Sequence, residues 1–147
     1  VDAAVLLGSI YLWGQGVAVD HVQAIAGYKV GANAGDPVCQ FQVGTMNFRG
    51  FGVGEQNYEE AWAWFEKSAA QDYADAVQML GSMYYIGRGV TSSFHHGREY
   101  LNRAIELGST KAGVSLDQLN EMIQDVTRRA SRAVQSKHST LPIITRA

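Results

Sequence analysis

The chain has 147 residues, a one-domain length, with 46% hydrophobic and 18% charged residues, so it can bury a core and is not compositionally disordered. A net charge of -2 argues against a general nucleic-acid binder, and a single cysteine, Cys39, excludes an internal disulfide framework and a cysteine-based zinc site. No apolar run approaches the ~18 residues that a membrane span needs.

The composition is unusual in one respect: 16 glycines stand against 2 prolines. In chain order, the first segment carries Val5, Leu6, Gly8, Ile10 and Tyr11 and ends at Gly14-Gln15-Gly16-Val17. β-Branched residues are sparse and strict alternation is absent, so the segment reads as a helix closed by a glycine turn. A second helix starts after Asp20, a side chain suited to capping. Asp36-Pro37 then gives a cap followed by proline at the first helical position. The pattern now returns. Gly44 and Asn47 lead to Gly50-Phe51-Gly52-Val53, and Asn57 followed by Glu59 and Glu60 opens the next helix. It returns again with Gly81, Tyr84, Gly87-Arg88-Gly89-Val90 and a helix start at Ser92 or Ser93. Ala3, Cys39, Ala76 and Ala112 mark the same step of 36 or 37 residues. A fixed period in this range is the signature of a solenoid.

Gly8, Gly44 and Gly81 fall inside helices, where glycine costs about 1 kcal/mol relative to alanine. They make sense where another helix presses on that face. The bulky residues at the matching place in the second helices are Tyr28, Phe65 and Leu101, with the small Ala24, Ala32, Ala61 and Ala69 letting each pair close.

These residues resemble the Sel-one-like repeat family, a relative of the tetratricopeptide repeat. Its pattern is matched by Ala76, Gly81, Tyr84, Gly87, Gly89 and Val90, and by Ala61, Phe65, Ala69 and Ala70. The resemblance spans residues 3 to 112, with departures at Asn47 (for tyrosine), Asp72 (for glycine) and Gly97 (for alanine). It implies an all-α, right-handed solenoid of three helix pairs, with repeats at 3–38, 39–75 and 76–111. After Ala112 the glycines stop, while Leu116, Leu119, Ile123, Val126, Ala130 and Ala133 keep one apolar stripe. A capping helix over 110–135 follows, completing a single domain at 1–135. Residues 136–147 contain Pro142 and read as an extended basic tail. The opposite end begins without a cap, as in a fragment or a subunit of something larger.

No catalytic set accompanies this architecture. His21, His95, His96 and His138 lack metal-ligand spacing, and Cys39 occupies a small-residue position that suits a buried, inert thiol. Glu59 and Glu60 are explained by a helix N-terminus. The G-x-G pairs follow helices rather than strands and lack a Walker lysine, so they are turns. The expectation is no enzyme, no cofactor and no metal.

The resemblance implies a protein–protein scaffold or adaptor that presents a concave groove to a protein or peptide within a larger assembly. By register the groove ladders are Leu12, Phe48 and Tyr85, then Trp13, Arg49 and Ile86, with Arg88 in the following loop. Such aromatic and arginine residues are enriched in binding hot spots; the alternative is that they pack between repeats. All 14 acidic residues lie at or before Asp125, alongside 7 basic ones. Beyond it come Arg128, Arg129, Arg132, Lys137 and Arg146 and no acid. Helix-dipole compensation explains this; an anchor in a large, RNA-containing complex is the weaker alternative. A third reading is a regulatory repeat region of a longer enzyme. The resemblance leaves the compartment open between cytoplasm, endoplasmic reticulum lumen and bacterial envelope.

Overall fold

A computed structural model describes residues 2–14 and 19–139. Seven helices follow in order: α1 (Asp2–Trp13), α2 (His21–Asn33), α3 (Pro37–Arg49), α4 (Tyr58–Ala69), α5 (Ala74–Ile86), α6 (Phe94–Glu106) and α7 (Ala112–Ser139). No strand occurs among the described residues. The chain is an all-α solenoid of three helix pairs followed by one long helix. Each helix packs on its neighbours in sequence, α1 also meets α3, and α5 meets α7.

The helix starts obey local chemistry. Asp20 accepts hydrogen bonds from the Val22 and Gln23 amides, at 3.0 and 3.1 Å. Asp36 accepts from Cys39 at 2.8 Å, with Pro37 opening the helix. Asn57 accepts from Glu60 at 3.0 Å, and Ser93 from His96 at 3.3 Å. These caps satisfy amides that have no partner within their own helix. Each turn is closed by the same backbone bond. The amide of the capping residue donates to Tyr11, Asn47 or Tyr84, for Asp20, Asn57 and Ser93 at 2.9, 2.8 and 2.9 Å. The departure at Asn47 is accommodated because its buried side-chain amide donates to the Val43 carbonyl at 2.9 Å.

The mid-helix glycines are contact points. A β-carbon on Gly8 would stand 2.7 Å from the Tyr28 ring, on Gly44 2.7 Å from Phe65, and on Gly81 2.9 Å from Leu101. All three large side chains are buried at 1% exposure or less. The helices therefore approach closely where a side chain has been removed, and the entropic cost of glycine is offset by apolar burial. Ala24, Ala61 and Ala104 complete the closed faces. Asp72, at the place of a glycine, adopts φ 58°. Its carboxylate bonds Arg103 of α6 at 2.7 Å, tying the second pair to the third.

Two apolar clusters run through the stack. One joins α1, α2 and α3 with Trp64; the other joins α4, α5 and α6 to Ala112 and Leu119 of α7. Polar pegs fix α7 on α5. Gln78 donates to Ser115 Oγ and Ser82 Oγ, both at 2.9 Å, and the Tyr85 hydroxyl donates to Gln118 at 3.2 Å. At 1.5 Å per residue the 28 residues of α7 extend about 42 Å. The helix begins at Ala112 and continues through Ser139, so residues 136–139, expected in the extended tail, form its last turn. Nothing in Gln135-Ser136-Lys137-His138 breaks a helix, the cations suit its C-terminal dipole, and the helix-disfavouring effect of Pro142 acts on the residue before it. Residues 140–147 of the expected tail lie outside the described residues.

Candidate functional site

A groove of about 780 Å³ runs across the first helices of the three pairs. Leu12 and Trp13 of α1, Phe41, Thr45, Phe48 and Arg49 of α3, and Gln78 and Met79 of α5 line its floor. Lys111, Val114 and Gln118, at the start of α7, form one wall. His21 and Phe51 stand at the rim with their rings stacked at 4.5 Å, and the Arg49 guanidinium lies 5.9 Å over Phe51. The cations Arg49 and Lys111 line the groove, and no carboxylate among the described residues does.

The expected ladders meet different fates. Trp13 is 69% exposed, Arg49 is exposed, and both line the groove. Leu12 and Phe48 also line it but are half-buried, with Phe48 edge-on to Tyr58 at 5.1 Å. Tyr85, expected at the solvent surface, is buried at 7% exposure. The cause is α7, which lies across the third helix pair and takes the tyrosine hydroxyl through Gln118. Ile86 is 46% exposed and stands outside the groove. Arg88 is exposed in the loop, donates to the Tyr58 hydroxyl at 3.1 Å and covers that ring at 5.3 Å. It too stands outside. Arg128, Arg129, Arg132 and Lys137 are exposed along the far half of α7, and Arg129 pairs with Asp125 at 2.8 Å. Arg146 lies outside the described residues.

Phe41 and Gln78 share the repeat position of Val5, and Gln42 and Met79 that of Leu6. All four line the groove two helical turns before the expected rungs. The i, i+4, i+7 spacing along α3 was the signal that would have found them. No such signal exists for Lys111, Val114 and Gln118, because the period ends before it can say which side of α7 faces the groove.

Other reactive groups have structural places. Burial pushes the Cys39 thiol up to about 12, helped by the Asp36 carboxyl beside it, so it stays protonated. Cys39 Sγ fills the space left by Gly31. His96 takes a 2.8 Å bond with Ser93 and stacks on Tyr84, while His95 faces Glu99 at 3.4 Å. Among the described residues no group of histidine, cysteine and carboxylate side chains could hold a metal, and no helix is long and apolar enough to cross a membrane.

The family model of the Sel1 repeat matches residues 1–36, 37–73 and 74–109. Among solved structures, c5321, a protective antigen present in uropathogenic Escherichia coli strains that displays an SLR fold, is 34% identical. The match has a TM-score of 0.72 and covers 76% of this chain and 24% of that one. A Sel1 repeat protein from Oxalobacter formigenes is 29% identical, with a TM-score of 0.71 over 78% of this chain and 47% of that one. This chain thus spans about a quarter and about half of their lengths. No curated protein matches it.

Proposed function

The chain belongs to the Sel1 repeat family, and from that premise we propose that it is an adaptor whose concave groove seats a segment of a partner protein. Sel1 repeats mediate protein–protein interaction in general, and the family is typically a non-catalytic repeat scaffold. The finer reading rests on one observation. The groove combines Trp13, Phe48 and Met79 with the cations Arg49 and Lys111 and is lined by no carboxylate among the described residues. A segment that fits alternates large apolar side chains with aspartate or glutamate. The apolar anchors supply affinity, and the carboxylates supply orientation and association rate. A solenoid suits this role because each helix pair adds floor without enclosing a reaction chamber.

The test is selection of a random peptide library on the immobilised chain, followed by calorimetry with the selected peptides. Enriched sequences should carry acidic and aromatic or aliphatic residues. Trp13→Ala and Arg49→Glu should each weaken binding by about tenfold or more, while Ile86→Ala, outside the groove, leaves it unchanged. Circular dichroism should show no loss of helix for Trp13→Ala, since its side chain is exposed. Basic peptides, or binding indifferent to both groove substitutions, would defeat the reading.

A further inference from the structure

The groove holds a polar group that the fold leaves unused. Gln78 of α5 lines it and keeps 7% of its surface. Its Nε2 donates to both Ser82 and Ser115, and its Oε1 accepts no hydrogen bond among the described residues. That oxygen is not sealed in the core: among the described residues, His21 Nδ1 is the side-chain polar atom that is both closed off from solvent and unbonded. Gln78 Oε1 therefore opens on the groove as a free acceptor in a nearly closed setting, where a hydrogen bond counts for more than at the open surface. Beside it stands a free donor. The Oε1 of Gln118 is taken by the Tyr85 hydroxyl, and its Nε2 has no hydrogen-bond partner among the described residues. Ser115, which holds Gln78, and Gln118 lie three residues apart on α7, so the two carboxamides meet the groove within about 5–6 Å of each other.

An acceptor and a donor side by side match one kind of main chain. In an extended segment the N–H and C=O of one residue project to the same edge, as the paired bonds of an antiparallel ladder show. The interior of a helix has no such pair to offer, because its main-chain groups bond one another. Resting on the groove reading above, we propose that the partner segment lies extended, with the N–H of one residue donating to Gln78 Oε1 and the C=O of that residue accepting from Gln118 Nε2. Its side chains then alternate between two faces. One face meets the floor of Phe41, Phe48 and Met79, while the main-chain edge meets the wall at α7. Apolar residues at every second position, with acidic ones between, are the pattern that an extended chain presents to such a floor. A helix with this alternation would spread its apolar groups around all sides.

The probe is a synthetic peptide in which aspartate alternates with leucine or phenylalanine, and binding is read by calorimetry. Replacing its amides by esters, one at a time, removes a single N–H without adding bulk and requires no change to the protein. One central ester should weaken binding by about tenfold. Esters at the two adjoining positions, whose N–H groups face the opposite edge, should change it by less than about twofold. Gln118→Ala should weaken binding by about fivefold or more, whereas Tyr85→Phe, which removes the peg and keeps the carboxamide, should bind as the parent does. A helical peptide that carries the same side chains three and four residues apart should bind about tenfold more weakly or worse. Indifference to every ester, a Gln118→Ala protein that binds as tightly as the parent, or tighter binding of the helical peptide overturns the extended pose. If Trp13→Ala still weakens binding in those cases, the groove reading survives without it. An alternating peptide that does not bind at all overturns both.

Discussion

α2 and α6 hold the same place in the first and third helix pairs and turn opposite surfaces to solvent. On α6 the outward positions are His95, which faces Glu99 at 3.4 Å, and Arg103, which pairs with Asp72 at 2.7 Å. On α2 the matching positions are Val22, Ala26 and Val30, with the two valines 64% and 68% exposed. The inward positions do not diverge in this way. Ala24 answers Gly97, and Tyr28 answers Leu101 against the facing glycines. Packing against a neighbouring helix restricts volume to within a methylene or so, whereas a solvent-facing position restricts almost nothing. The period therefore governs the inner face of each pair and leaves the outer face free to specialise.

The largest expected effect breaks the inner face. Phe65→Ala removes a side chain with no exposed surface from between α3 and α4 and should cost about 3–5 kcal/mol in chemical denaturation. A loss of less than about 1 kcal/mol would mean that the pair can collapse around the gap.

Alkali should act on the same buried layer. The Cys39 thiol rises from 9.0 to about 12 in the fold, so the unfolded chain loses this proton first as pH rises. Its contribution is intact below about pH 9 and is lost as pH approaches 12, at most about 4 kcal/mol. Burial raises the hydroxyls of Tyr28, Tyr73 and Tyr100 as well, which steepens the fall above pH 10. Cys39→Ala should delay the onset of this loss, at about 1 kcal/mol of stability at neutral pH. Identical pH profiles for the two proteins would remove the thiol from the account.

The smallest effect sharpens the outer face. Val22→Glu with Val30→Lys gives α2 the residues found at these positions in α4, Glu59 and Lys67. Melting should change by no more than about 0.5 kcal/mol. Loss of the fold would show that this apolar patch is packed rather than exposed.

These contrasts also explain what the sequence could disclose. The glycine–aromatic contacts, the caps at Asp20, Asp36, Asn57 and Ser93, and the helix pairs were legible because each is a local or repeated constraint. The exposure of Trp13 and Arg49 was legible because it follows from the register of the first helices. Tyr85 was misplaced because its environment is set by α7, a helix outside the period. The groove wall at Lys111, Val114 and Gln118 was hidden for the same reason. The end of α7 was set at residue 135 because the apolar period stops there, whereas the helix continues to Ser139 on residues that do not oppose it.

The pegs at Gln78–Ser115 and Tyr85–Gln118 have a mechanical consequence. They hold α7 at two points three residues apart, so it can neither slide along α5 nor roll about its own axis without breaking a buried and a half-buried hydrogen bond. The helix is then a stiff lever with its fulcrum at α5. Its first turns border the groove through Lys111, Val114 and Gln118, and its residues from 126 to 139 stand exposed beyond the last helix pair.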